Sequence, residues 1–128
     1  MSPLNAYTQV NVQTASPQQI MITLFQAALR NMRASIGAFQ KGDKRNGSVM
    51  AEKAANIILG LQGTLKPEVA PELCERLFDL YSFIACRLAE GGSKFESQPV
   101  KEAERVFLPI VEAFTQAVAN PANIAVQR

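Results

Sequence analysis

Four stretches of roughly twenty residues carry an apolar side chain at every third or fourth position, and Gly or Pro punctuates the chain between them. That spacing builds helices with one greasy stripe each. No stretch shows the sustained alternation that a half-buried strand needs. Four such segments joined by short connections predict an all-α, antiparallel four-helix bundle. At 128 residues the chain is long enough for one compact domain and short of two. A domain of this size can bury about two-thirds of its unfolded surface, so neither a disulfide nor a metal is required for stability.

The first helix starts with the strongest local signal in the chain. Ser16 can accept from a first-turn N–H, Pro17 suits the first helical position, and Gln19 can reach back as in a capping box. The helix is expected over Pro17–Gln40, up to Lys41-Gly42. Ile20, Leu24, Ala27 and Ala28 share one face, and Met21, Phe25, Met32, Ile36 and Phe39 share the next. The second helix begins between Asp43 and Ser48, either of which could cap it, and runs to Leu65. Its stripe is Met50, Ala54, Ile57, Ile58, Leu61 and Leu65. Gly47, Gly60 and Gly63 each weaken it by up to about 1 kcal/mol relative to alanine, unless they serve a close approach.

The third helix is expected from Pro71 to about Glu90, with Gly91-Gly92 as a glycine C-cap. Leu73, Leu77, Leu80, Ile84 and Leu88 form its stripe, flanked by Phe78, Tyr81 and Ala85, and Leu77 and Leu80 are expected on or near the core. The fourth starts near Pro99, ends at Asn120-Pro121, and presents Val100, Ala103, Phe107, Ile110, Val111, Phe114 and Val118. Pro109 lies inside it and frees the carbonyl of Arg105, which predicts a kink or a break. Residues 1–15 form a polar N-terminal arm with Tyr7, Val10 and Val12 as its apolar groups, too few for a core. The arm is expected to be mobile, the bundle to occupy residues 16–119, and residues 120–128 to be a frayed tail.

Composition excludes much chemistry. Hydrophobic residues are 48% and charged residues 19%, the balance of a globular chain rather than a disordered one. The net charge of +2 gives no reason to expect nucleic acid, and the cluster Lys41, Lys44, Arg45 is interrupted by Asp43 and reads as a solvated loop. There is no histidine, which removes the commonest general base and metal ligand, and with it the Glu-x-x-His pairs of a di-iron bundle. Cys74 and Cys86 fall on one predicted helix about 18 Å apart, beyond disulfide reach. They read as buried thiols in a reducing cytosol. No secretion signal or membrane span is visible, so no membrane insertion is expected. Gly91-Gly92 lacks the Lys-Ser/Thr of a phosphate loop. Glu72, Glu75, Asp79 and Glu90 lie on a polar helix face. No catalytic residue, metal ligand or cofactor site is therefore assigned, and a binding protein is a better reading than a small helical enzyme.

The remaining feature is a surplus of apolar positions, notably Phe25, Leu65, Phe78, Tyr81 and Phe83. A wide core accounts for most of them; the sharper reading is that some line an open groove for a partner's amphipathic segment.

Three motifs in order resemble the flagellar export chaperone family known as FliS. The first is Tyr7 with Thr14-Ala15-Ser16-Pro17 and Ile20-Met21-Ile22-Thr23-Leu24-Phe25. The second is Lys53-Ala54-Ala55-Asn56-Ile57-Ile58 with Leu61 and Leu65. The third is Leu77-Phe78-Asp79-Leu80-Tyr81-Ser82-Phe83-Ile84 with Arg87-Leu88. Departures are Gln26 for the usual acidic residue, Ala27 for glycine, Gly91-Gly92 for Ala-Asn, and Phe114 for a late tryptophan. The resemblance covers Tyr7 to about Phe114. It implies a cytoplasmic chaperone that binds the disordered C-terminal segment of flagellin and delivers it to the flagellar export apparatus; holding the segment needs only binding and no nucleotide. It also implies that the arm covers part of the binding surface until the partner displaces it. An additional regulatory role, as an adaptor sequestering an anti-sigma factor or another flagellar regulator, is compatible with the same bundle. Tyr7, Phe25, Ile57, Leu61, Leu65, Phe78 and Tyr81 are the candidate residues at or near the partner-binding surface, with plain core as the alternative for Ile57 and Leu61.

Overall fold

The computed structural model describes residues 16–120; the N-terminal arm, including Tyr7, and the tail from residue 121 lie outside the described residues. Four helices fill that span: α1 (Pro17–Gln40), α2 (Lys44–Gly63), α3 (Pro71–Lys94) and α4 (Ser97–Ala119). Each packs on its chain neighbour, and α4 returns to pack on α1, closing a four-membered ring. The connections span only residues 41–43, 64–70 and 95–96, so successive helices run in opposite directions, as short loops in a bundle require.

The capping box on α1 is complete: Ser16 Oγ accepts from Gln19 N–H (3.2 Å) and Gln19 Oε1 accepts from Ser16 N–H (3.1 Å). Asp43 caps α2, accepting from Asn46 N–H at 3.2 Å, which decides between the two expected starts. The core runs through all four helices, with Met32, Ile58, Ile84, Leu88 and Phe107 fully enclosed. Phe25 meets Phe107 edge-on at 5.6 Å and Phe114 at 5.2 Å, the arrangement that aromatic quadrupoles favour.

Several expected positions are corrected. Helix α2 ends at Gly63 rather than Leu65, where Thr64 N–H and Oγ1 both bond the Leu61 carbonyl. On α1, Leu24 is exposed, whereas Leu29 and Ser35 are buried; Ser35 Oγ satisfies itself on the Gly47 carbonyl at 2.7 Å. On α3, Leu73 and Leu80 are exposed, and the inward line is Tyr81, Ile84, Leu88 and Gly91. Leu77, by contrast, keeps its expected place, packed against the core while partly exposed. Cys74 is half-buried and Cys86 exposed, not enclosed. Helix α4 begins at Ser97, two residues before Pro99, and continues unbroken through Pro109, whose side chain is exposed. An exposed site lets water replace the lost donor at Arg105.

The glycine pair does not end α3. The helix continues to Lys94, and Phe95 takes the left-handed conformation (φ 59°) that closes it, with Glu96 N–H returned to the Gly91 carbonyl at 3.1 Å. A two-residue connection brings α4 hard against the last turn of α3. A Cβ on Gly91 would lie 2.6 Å from Val100 Cγ2 and 3.0 Å from the Glu96 carbonyl oxygen. Glycine is there for close approach, not for chain reversal. Gly47 is similar, lying under the Phe39 ring, whereas Gly60 has nothing within 4 Å. Gly91→Ala is expected to destabilise by about 1–3 kcal/mol, because the clash outweighs the helix-propensity gain of at most about 1 kcal/mol. Gly60→Ala should stabilise by about 0.5–1 kcal/mol. Urea unfolding of both variants checks the pair; equal signs would contradict the assigned roles.

Candidate functional site

A groove of about 890 Å³ opens between the start of α3 and the last turns of α4. Helix α3 contributes Pro71, Glu72, Leu73, Leu77 and Tyr81, and α4 contributes Pro109, Ile110, Ala113, Phe114 and Ala117. Phe25 of α1 also lines it. Among the described residues, Glu72 is its single charged lining residue. The groove exists because α4 carries two stripes. Val100, Ala103, Phe107 and Val111 point into the core. Ile110, Ala113, Phe114 and Ala117, also spaced by three or four, form a second line with small residues that leave an open channel. Pro109 lies along the same edge.

The seven sequence candidates separate. Phe25 and Tyr81 are 2% and 4% exposed; they belong to the core and to the groove lining at once. Leu61 is buried, and Ile57 and Leu65 pack against the core from α2; none of the three lines the groove. Phe78 is 52% exposed on the side of α3 that faces α2, where Gln62 Nε2 donates to the Phe78 carbonyl (2.9 Å) and to Ser82 Oγ (2.6 Å). Tyr7 lies outside the described residues. Leu73, Leu77, Ile110, Ala113 and Ala117 were not among the candidates. The double stripe on α4 is the signal that could have revealed its share. Phe78, Leu80 and Phe83 extend the exposed apolar surface of α3 beyond the groove.

The far end of α3 is polar. Arg87 ties α3 to α4 through Glu102 (2.9 Å) and also pairs with Glu90. Lys94 bonds Glu90 at 2.9 Å; that hydrogen bond, helped by the nearby Arg87 charge, holds the Glu90 carboxyl below its ordinary range. Within the groove, burial pushes the Tyr81 hydroxyl from 10 up to about 12. The folded state therefore holds the proton more tightly than the unfolded chain. Stability from this group is complete below pH 10 and is lost as pH rises towards 12. A loss of about 2 kcal/mol is expected across that window. Tyr81→Phe should flatten it, measured by urea unfolding at about pH 9 and about pH 11.5; an unchanged slope would show that Tyr81 is not responsible.

Nothing in this geometry assembles a nucleophile with a base. Among the described residues no three Cys, Asp or Glu side chains gather as a metal site, and no helix is long and apolar enough to cross a membrane. An antiparallel bundle with an apolar channel at one end has the kind of surface that an apolar helical segment can occupy. The profile of the family described as Flagellar protein FliS matches residues 1–121, and the chain belongs to that family. It is 32% identical over 125 residues to the flagellar secretion chaperone FliS of Escherichia coli (strain K12), covering 93% of this chain and 91% of that one. It is 27% identical over 119 residues to the protein of the same name in Bacillus subtilis (strain 168), covering 93% and 88%. In fold it is similar to a structure described as "Crystal structure of flagellar chaperone from bacteria", with a TM-score of 0.74 at 18% identity over 93% of this chain and 99% of that chain.

Proposed function

We propose that this chain is a cytoplasmic chaperone that holds the disordered C-terminal segment of flagellin, prevents its premature polymerisation and delivers it to the flagellar export apparatus. The observation that carries the reading is the α3–α4 groove: about 890 Å³, apolar on both walls, with one charged residue in its lining. Membership of the FliS family supports it. A flagellin segment that folds into amphipathic helices can lay its apolar face into this channel and extend along the exposed Phe78, Leu80 and Phe83. Each Å² of apolar surface removed from water contributes about 25 cal/mol, set against the ordering of the segment. Holding of this kind needs no covalent step and no nucleotide.

The position of the groove also supports a role for the arm. Phe25, in its lining, lies nine residues along α1 from Ser16, about 14 Å of helix. Ser16, where the described residues begin, therefore lies towards the groove's end of the bundle. In this reading Tyr7 rests on the groove when no client is bound and yields to a longer segment that buries more surface.

Titration calorimetry with a synthetic peptide of the cognate flagellin C-terminus tests the proposal. Binding is expected with a negative heat-capacity change and a gain of helical circular dichroism. It should survive moderate salt, since the groove offers almost no charge. No heat and no helix gain at tens of micromolar protein would overturn the reading. Deleting residues 1–15 should leave the bundle folded and change the affinity; unfolding on deletion would make the arm structural instead.

A further inference from the structure

Helix α4 has a third side. Away from the core and the groove, Lys101, Glu104, Arg105 and Leu108 face Arg33 and Ile36 of α1 across a cleft of about 440 Å³. It shares no lining residue with the groove. Three cations stand there against one carboxylate, and that carboxylate is engaged: Arg33 Nε bonds Glu104 Oε2 at 2.6 Å. Lys101 and Arg105 make no ion pair among the described residues. Arg30 lies one turn before Arg33 on α1. Beneath the charges, Ile36 and Leu108 are partly buried, so the cleft has an apolar floor.

Local physics does not favour this arrangement. Like charges four residues apart on a helix repel, at a cost of about 0.2–0.5 kcal/mol, and Lys101 and Arg105 are such a pair. Elsewhere on the bundle Arg87, Glu90, Lys94 and Glu102 form mutually satisfied pairs. A like-charged pair over an apolar floor breaks the local rule, and such departures mark places under a second requirement.

We propose that the α1–α4 cleft is a second docking surface, which takes an acidic amphipathic segment of a partner protein, with carboxylates on Lys101 and Arg105 and apolar side chains on Ile36 and Leu108. The charge of the cleft selects the sign of the partner, and its apolar floor selects an amphipathic segment over a purely acidic one. Because groove and cleft occupy different sides of α4, a client in the groove and a partner in the cleft can be held at once. The two sites also differ in their response to salt: the groove is nearly indifferent, and the cleft weakens as salt rises.

The test uses the full chain and a synthetic peptide of about sixteen residues, with leucine at helical spacing and glutamate elsewhere, and a second peptide with lysine for glutamate. In 15N-resolved NMR the glutamate peptide should shift amides around residues 33–36 and 101–108. Affinity should fall between about 50 mM and about 300 mM salt. The double variant Lys101→Glu/Arg105→Glu should lose roughly tenfold in affinity, while Lys41→Glu/Lys44→Glu, at the α1–α2 turn, should change it less than about twofold. Lys101→Gln/Arg105→Gln should fall between these, with unchanged helical circular dichroism and melting showing that the fold is kept. Perturbations confined to Leu73, Leu77 and Phe114, equal binding of the lysine peptide at the cleft, no binding, or a cleft that responds only to anionic phosphatidylserine vesicles would each overturn the proposal.

Discussion

Leu73→Glu is expected to weaken binding of the flagellin C-terminal segment by about a hundredfold or more while leaving the bundle folded. Leu73 is 55% exposed and lines the groove from the first turn of α3. A carboxylate in the first turn of a helix interacts favourably with the helix dipole, so the free protein should be stable within about 0.5 kcal/mol of the parent. In the complex the same carboxylate would be pressed against apolar walls with no cation among the groove residues. Stripping water from an unpaired charge costs several kcal/mol, and about 3 kcal/mol corresponds to more than a hundredfold in Kd. Ala113→Glu on the opposite wall should act in the same direction. Calorimetry with the flagellin peptide, paired with urea unfolding of the free variants, separates binding from folding. Unchanged affinity in both variants would move the client away from this groove and onto the remaining exposed surface of α3.

Phe107→Ala is expected to cost about 3–5 kcal/mol of stability. Phe107 is fully enclosed and stacks edge-on with Phe25. Removing it loses that aromatic contact, the transfer energy of the ring and the packing of the cavity left behind. Domains of this size are stable by about 5–15 kcal/mol, so the variant should sit near the margin. Its melting midpoint should drop by about 10–30 °C. Because Phe25 also lines the groove, loss of its support should loosen the groove as well. A cost below about 1.5 kcal/mol would mean that the surrounding side chains collapse into the space.

These two residues differ in how visible they were. Phe107 follows from the 3–4 spacing of α4, which is a local property of the chain. Leu73 has the same spacing on α3 as Leu77, Ile84 and Leu88, and reads as core, yet it stands exposed at the groove. Periodicity shows that a side chain lies on the apolar side of a helix. It does not show whether another helix covers that side at that height. Among the described residues no helix covers Leu73 or Ala113 at the end of the bundle where α1 begins, while Leu77, Ile110 and Phe114 beside them still reach the core.

The separate helices, their order, the capping box at Ser16 and the core membership of Met32, Ala54, Ile58, Ile84, Leu88 and Phe107 were determined by the sequence alone, because each rests on interactions within a few residues or on a stripe wide enough to face inward in any bundle. The three motifs resembling FliS added the family. Tertiary structure decided what depends on a neighbouring element. It placed Gly91 and Gly92 inside α3, because Val100 and the Glu96 carbonyl need the space of a missing Cβ at Gly91, and it left the helix end to Phe95. It kept α4 continuous through Pro109 by leaving that residue exposed. It enclosed Phe25 and Tyr81 while exposing Phe78, because rotation of each helix about its axis is set by the summed packing of both its neighbours and not by any one stripe.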